Sequence, residues 1–297
     1  MMTDPFGNYL CQKLIDVCDH ETLGRILDGV APSLLRVSLN MHGTRAAQKL
    51  IESLQSPEHI KRMTDHLSPH VVTLVKDLNG NHVVQRCLTA MKPPLNQFIF
   101  DAMTKNCVEV ATHRHGCCVL QRCIDHATPG QKASLVEEVV RHALPLVQDA
   151  FGNYVVQYVV NLRDSEVNTR LIAKLGGNIA ELAKQKFASN VIEKCLQLAA
   201  TQSKGDMIQE LTTTSSEGIR DLMMDAYGNY VLQKAISVAE EPLFSKLLDC
   251  VRPHMAALRQ THHGKRIAAK LVKRFPQLSP SHPASQKALS HPGGGAG

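Results

Sequence analysis

Residues 80–86 read GNHVVQR, and variants of that heptapeptide recur along the chain. They begin at Gly7 (GNYLCQK), Gly43 (GTRAAQK), Gly80, Gly116 (GCCVLQR), Gly152 (GNYVVQY), Ala188 (ASNVIEK), Gly228 (GNYVLQK) and Gly264 (GKRIAAK). Neighbouring copies lie 36, 37, 36, 36, 36, 40 and 36 residues apart. A period in this range signals a solenoid, in which each unit buries its apolar face only against its neighbours. The 297 residues are therefore expected to form one continuous stack.

The third copy shows how a unit works. Residues 76–88 read KDLNGNHVVQRCL. On a helix of about 100° per residue counted from Gly80, Val83, Val84, Cys87 and Leu88 fall near 300°, 40°, 340° and 80°. They make one apolar face, which must point into the core. Asn81 and Gln85 fall near 100° and 140°, one turn apart on the flank, with His82 beside them near 200°. Further helices fill each interval. Between Thr128 and Leu144, the residues Leu135, Val136, Val139, Val140 and Leu144 keep helical spacing, and Thr128, Pro129 and Gln131 form a capping box. Ser56-Pro57 resembles a similar start, and a short helix over His70–Leu78 precedes the motif. Each unit is thus a helical hairpin plus a short third helix, all-α throughout. The four extra residues before Gly228 are placed in a polar loop, Thr212–Gly218.

Three offsets vary together. The first, second and fifth residues after each Gly or Ala are Asn8/Tyr9/Gln12, Thr44/Arg45/Gln48, Asn81/His82/Gln85, Cys117/Cys118/Gln121, Asn153/Tyr154/Gln157, Ser189/Asn190/Glu193, Asn229/Tyr230/Gln233 and Lys265/Arg266/Ala269. Amides interleaved with flat side chains suit single-stranded nucleic acid, whose bases stack on rings or guanidinium planes and bond amides along their edges. Uracil shows an N–H between two carbonyls, and an Asn/Gln pair has the donors and the acceptor to match. Guanine shows adjacent N–H donors, which Glu193 can accept. Adenine needs one amide and a small residue opposite, as with Gln121 and Cys117. A lone Asn-x-x-x-Gln means nothing, but three identical Asn/Tyr/Gln sets in register, and a fourth with His, are poorly explained as solvated surface. A basic residue follows the triplet in seven copies (Lys13, Lys49, Arg86, Arg122, Lys194, Lys234, Lys270), serving either solubility or phosphate attraction. Phe6, Phe151, Phe187 and Tyr227, just before the motif, are assigned to packing between repeats.

Composition narrows the classes. Net charge is +6, tryptophan is absent and aromatics make up 4%, a mildly basic chain compatible with a polyanionic partner. Nine cysteines are scattered without a paired framework, as expected of free thiols in a reducing compartment. No secretory leader is expected, because the motif follows Met1 at once, and no apolar run approaches the ~20 residues of a membrane span. His113, His115, Cys117 and Cys118 are the most visible candidates for a metal site. Cys117 and Cys118, adjacent on a helix, point about 100° apart and suit no zinc spacing, so no metal and no cofactor are expected. No phosphate loop, nucleophile elbow or carboxylate pair supports an enzyme. Residues 276–297, rich in Pro, Ser and Gly, are expected to be a disordered tail.

GNYVVQ, GNHVVQ, FASNVIEK and the closing HGKRIAAKLVKR resemble the Pumilio (PUF) family of RNA-binding proteins over residues 1–275, which are taken as one repeat domain. The resemblance implies a right-handed α-solenoid, a superhelical crescent of about 36-residue three-helix repeats, whose concave face binds single-stranded RNA one base per repeat. The RNA runs antiparallel to the repeats. Asn229/Tyr230/Gln233 then matches U, Ser189/Asn190/Glu193 G, Asn153/Tyr154/Gln157 U, Cys117/Cys118/Gln121 A, Asn81/His82/Gln85 U and Asn8/Tyr9/Gln12 U. Thr44/Arg45/Gln48 stands where the family often reads A, giving 5′-UGUAUAU-3′. The triplets match the family's second to eighth repeats, then its C-terminal cap at Gly264, so the first repeat and N-terminal cap are expected to be missing from this chain. The resemblance further implies a cytoplasmic, monomeric regulator of mRNA 3′ untranslated regions that acts through deadenylase or repressor proteins. A nucleolar relative that binds ribosomal RNA with little specificity, and a HEAT- or armadillo-type protein scaffold, are the alternatives.

Overall fold

The computed structural model describes residues 1–258 and 261–274, and the expected tail at 276–297 lies outside them. Every element among the described residues is an α-helix or a short 3-10 helix. The eight motif copies open the helices Gly7–Val17, Gly43–Ser53, Gly80–Ala90, Gly116–His126, Gly152–Asn161, Ala188–Leu198 and Gly228–Val238, or lie just inside His262–Arg274. A short helix precedes the copy (Leu34–Leu39, Val71–Lys76, Cys107–Ala111, Ala143–Gln148, Ile179–Ala183, Ser216–Met224) and a longer one follows it (His20–Val30, Pro57–Leu67, Gln97–Lys105, Pro129–Arg141, Ser165–Leu175, Thr201–Thr212). Before the last copy the long and short helices are fused into Leu243–Leu258, with Pro253 inside. The three-helix repeat is therefore present. By packing, the described residues form two compact units, Met1–Val159 and Val160 onward. The first holds copies one to five and the second copies six to eight.

Five of the eight motif helices start by the same local device. In the third copy Asp77 Oδ1 accepts the backbone N–H groups of Asn79 (2.8 Å) and Gly80 (2.7 Å). Asp149 does so for Phe151 and Gly152, Asp225 for Tyr227 and Gly228, Asp4 for Phe6 and Gly7, and Asn40 for His42 and Gly43. A side chain three places ahead of the glycine thus takes up donors that a helix start leaves unbonded. These two amides also hold the Asp4 carboxyl below its ordinary range, the Gly7 bond contributing most.

The glycine is needed for a second reason. A Cβ on Gly80 or Gly152 would stand 2.8 Å from the carbonyl oxygen of Leu74 or Leu146, six residues earlier in the short helix. On Gly43 and Gly116 it would run still closer to the oxygens of Val37 and Val110, whereas on Gly228 it would be 3.1 Å from that of Leu222. The sixth copy has Ala188 here, fully buried, so the two helices accommodate a methyl at that junction.

Above this junction the apolar face closes as the periodicity requires. Val83, Val84, Cys87 and Leu88 are each 4% exposed or less, and burying one such side chain contributes ~1.5–3 kcal/mol. In the first copy the face is half open: Leu10 and Leu14 are 61% and 48% exposed, where their fourth-copy counterparts Val119 and Cys123 are buried. Those two offsets therefore face the preceding repeat. All nine cysteines are free, and six of them are buried. Burial pushes the thiols of Cys87, Cys107 and Cys195 up to about 12.

The capping box forms, with Gln131 N–H donating to Thr128 Oγ1 and Thr128 N–H to Gln131 Oε1. Its helix ends at Arg141, and Leu144 belongs to the next one. Ser56 makes no side-chain cap. The short helix expected over His70–Leu78 is a 3-10 turn at Ser68–His70 followed by Val71–Lys76, and Asp77 stops it by starting the next. The polar loop expected at Thr212–Gly218 shrinks to residues 213–215. Ser215 Oγ accepts the Gly218 N–H, so most of the extra residues lengthen the short helix Ser216–Met224 to nine residues.

The close approach predicts a graded cost. Gly116→Ala should lower the urea-unfolding stability by ~1–3 kcal/mol, the range of an overpacked junction. Gly228→Ala, which meets a more distant oxygen, should cost clearly less. Equal losses would show that the carbonyl contact does not set the requirement.

Candidate nucleic-acid interface

The junction fixes the rotation of each motif helix, and the rotation sorts the three variable offsets by depth. In copies one to seven every first-place residue is buried: Asn8, Thr44, Asn81, Cys117, Asn153, Ser189 and Asn229. Every second-place residue is exposed: Tyr9, Arg45, His82, Cys118, Tyr154, Asn190 and Tyr230. The fifth place is half-buried at Gln12, Gln48, Gln85, Gln121, Gln157 and Glu193, and buried at Gln233. The tyrosines leave 68%, 57% and 43% of their surface open at Tyr9, Tyr154 and Tyr230. Copies one, two, three, five and seven thus offer a flat, exposed side chain beside a sunken amide.

Hydrogen bonding orients the amides. Asn81 Nδ2 donates to the carbonyl oxygens of Asp77 and Leu78, both at 2.8 Å. Two carbonyls can face only the NH₂ end of an amide, so Asn81 Oδ1 turns outward and accepts Gln85 Nε2 at 2.8 Å. The same chain of bonds recurs at Asn8 and Gln12, Asn153 and Gln157, and Asn229 and Gln233. Both donors of the Asn amide are thus taken up by its own helix start. What each pair leaves available is the Gln oxygen, one Gln N–H and the second lone pair of the Asn oxygen.

The other copies vary this arrangement. Thr44 Oγ1 donates to Asn79 O at 3.1 Å and accepts Gln48 Nε2 at 3.1 Å, so a hydroxyl does the work of the amide. Cys117 Sγ donates weakly to Arg114 O and lies 3.9 Å from Cys118 Sγ, leaving Gln121 untethered by its neighbour. Ser189 Oγ bonds Lys186 O. Burial raises the Glu193 carboxyl above its ordinary value, with Lys234 partly offsetting the effect. Asn190 folds its amide back onto Lys186 O at 3.0 Å. In the eighth copy Lys265 is exposed where all others are buried, Ala269 replaces the amide, and Arg266 Nη1 donates to Tyr230 Oη at 2.7 Å.

The Pumilio-family RNA binding repeat matches residues 1–31, 33–68, 70–104, 106–140, 142–175, 178–212 and 219–251. The chain belongs to the Pumilio family. The eighth copy lies beyond the last matched Pumilio repeat. Pumilio homolog 12 of Arabidopsis thaliana is 42% identical over 274 residues, which is 91% of this chain and 46% of that protein. A Pumilio domain-containing protein of Schizosaccharomyces pombe is 44% identical over 276 residues, 93% of this chain and 40% of that one. The chain thus spans about half the length of the curated relatives it matches. Among solved structures, the Puf4 RNA-binding domain bound to a 3′ UTR recognition sequence of HO endonuclease RNA has a TM-score of 0.80 at 43% identity, covering 91% of this chain and 86% of that one. The RNA-binding domain of yeast Puf5p bound to SMX2 RNA gives 0.80 at 29%, covering 94% and 85%. The Pumilio family is one of RNA-binding repeats, not of enzymes.

Two side features of these Pumilio repeats differ from expectation. The aromatics before the motif are not inter-repeat core: Phe6, Phe151 and Tyr227 are 84%, 37% and 36% exposed, and Lys186 Nζ lies over the Phe187 ring. Phe6, Phe151 and Tyr227 occupy the turn that the preceding Asp caps, while the residues inside the helix fill the junction. Nor are all the basic residues after the triplet free for phosphate. Lys49 pairs with Asp16 and Arg86 with Glu52, each acid lying in the preceding copy's helix. In the fifth copy Tyr158 takes the basic place and donates to Asp125 of the copy before. Exposed pairs of this kind contribute ~0–1 kcal/mol each. Among the described residues no three His, Cys, Asp or Glu side chains are grouped to hold a metal.

The capping acids were missed in the sequence, although Asp or Asn stands three places before Gly7, Gly43, Gly80, Gly152 and Gly228. The buried amide implies unequal roles within a pair. Asn153→Ala should lower stability by ~1–3 kcal/mol, since it removes a buried amide and its bonds to two half-buried carbonyls. Gln157→Ala should leave the urea midpoint nearly unchanged. Similar losses from both would contradict the hydrogen-bond chain.

Proposed function

We propose that the chain binds single-stranded RNA sequence-specifically, one nucleotide to each of copies one to seven, with 5′-UGUAUAU-3′ as the core and copy seven at its 5′ end. The observation that carries this is the repetition, seven times in register, of an exposed second-place residue, flat in five copies, beside a sunken amide or carboxylate. The stacking surface is indifferent to sequence, and the sunken group supplies discrimination. Glu193 has the two acceptors that guanine's adjacent donors need. Gln85, Gln157 and Gln233 each keep one acceptor and one donor for a uracil edge. Solved relatives hold 3′ UTR recognition sequences, which supports mRNA 3′ untranslated regions as targets, and post-transcriptional control in the cytoplasm is the role we assign. The chain itself would bind as a monomer and do no chemistry, leaving repression or decay to recruited partners such as a deadenylase complex. Thr44 and Cys118 add support. A Puf4 variant bound to Cox17 RNA carries a Thr→Cys and a Cys→Arg change separated by the same interval as these two residues, so they are assigned to tuning which sequence is preferred.

A titration of fluorescent UGUAUAU RNA at fixed salt, against the same RNA with UGU changed to ACA, should show at least ~10-fold preference, equivalent to ~1.4 kcal/mol. Equal, salt-sensitive affinities would overturn sequence-specific reading.

Glu193 adds a pH signature. Its carboxyl sits above the ordinary range because of burial, and the protonated acid loses one of the two acceptors guanine requires. Preference for G over A at the second base should therefore narrow as pH falls below neutrality towards that raised value. Selection at the uracil positions should hold, and Glu193→Gln should remove both the G preference and its pH dependence. A pH-independent G preference in the unaltered chain would refute the role given to Glu193.

A further inference from the structure

The eighth copy lines a hollow with Tyr230, Gln233, Arg266, Ala269, Lys270 and Lys273. Its chemistry differs from that of every other copy. The fifth place is an exposed alanine, so nothing there can accept a hydrogen bond from a base edge. The first place, buried in all seven other copies, is the exposed Lys265. Arg266 is already engaged, its Nη1 on Tyr230 Oη and its guanidinium carbon 5.6 Å from the centre of that ring. Lys270 occupies the helix position at which Lys49 and Arg86 pair with acids of the preceding copy. In the eighth copy that acid is missing: neither Lys270 nor Lys273 makes an ion pair among the described residues, and no carboxylate lines the hollow. On a helix, Arg266, Ala269, Lys270 and Lys273 share one arc of about 100°. Apart from the Gln233 oxygen of copy seven, such a surface has donors and positive charge and offers no side-chain acceptor. Its ligand must bring negative charge and acceptors of its own, and the hollow opens beside the residues of copy seven.

We infer that this hollow is a phosphate seat. Lys270 and Lys273 hold the phosphate on the 5′ side of the nucleotide bound at Tyr230 and Gln233, a role that rests on the RNA-binding function proposed above. The phosphate can be the terminal group of an RNA end or the bridge to one more upstream nucleotide. The eighth copy then anchors the strand without reading it.

Three RNAs test this with the whole chain: UGUAUAU with a 5′-hydroxyl, the same with a 5′-phosphate, and the same with one extra 5′ nucleotide. The hydroxyl-ended RNA should bind about threefold or more weakly than at least one phosphate-bearing RNA. Which of the two gains identifies the terminal or the bridging phosphate. The double change Lys270→Ala and Lys273→Ala should level the three affinities and reduce the salt slope by ~0.7 for one phosphate on a single strand. Changing both lysines to arginine should restore the difference. Equal affinities in the unaltered chain, with UGU still preferred over ACA, would overturn the phosphate seat alone. Loss of the UGU preference in every arm would place the failure in base reading itself. Displacement of a fluorescent polyglutamate peptide from these lysines, with no phosphate effect on RNA, would overturn the seat in favour of an acidic protein partner.

Discussion

The close contact between the start of each motif helix and a carbonyl six residues earlier governs this chain. At Gly43, Gly80, Gly116 and Gly152 no side chain larger than that of glycine fits it without moving one helix off the other. At Gly43, Gly80 and Gly152 it is made where an Asp or Asn side chain has already gathered the two free amides ahead of the helix. Together they set how far the helix is rotated about its axis. Everything functional follows from that angle. Val83 and Cys87 in the third copy face the previous repeat, Asn81 is sunk, Gln85 is at the waterline and His82 is free. A rotation by one residue would bury the flat side chain and expose the amide, and neither stacking nor edge recognition would survive.

The fold was legible because a solenoid writes its packing in one period, and that period survives in this chain despite its one 40-residue interval. The apolar offsets were legible for the same reason: a helix allows only one way to bring positions three, four, seven and eight together. The capping box at Thr128 and Gln131 needs no tertiary context, so it too could be read locally. Depth was harder. Placing Asn81 on the flank of a wheel says nothing about the two carbonyls waiting beneath it, which come from the turn before the helix. The partners of Lys49 and Arg86 lie 33 and 34 positions back, and their pairing depends on how neighbouring repeats are registered. The aromatics before the motif looked like core because they are large and recurrent. Their place in a capped turn leaves them outside.

Charge has a smaller part than the basic composition suggests. Two of the cations that follow the triplets are tied to carboxylates of the preceding copy, and these ties act as latches between repeats. The side chains of the site in copies one to seven are almost all neutral, with Glu193 the anion among their fifth-place residues and Arg45 the guanidinium among their second-place ones. Discrimination on such a surface comes from orienting polar groups before the partner arrives. The buried Asn amides do this by removing the rotational freedom a solvated Gln would otherwise lose on binding.

The exposed row of second-place residues also acts as a ruler. Packed helices sit ~8–10 Å apart, whereas a base followed by an intercalated side chain advances ~7 Å, twice the ~3.4 Å rise of stacked bases. In the proposed complex the two scales would disagree from one copy to the next within a unit, and the disagreement would accumulate along the bound strand like the offset between the rules of a vernier. A ring or guanidinium would grip its base there and carry the strain forward. Cys118, with no plane to offer, would be the graduation at which the two scales are free to slip.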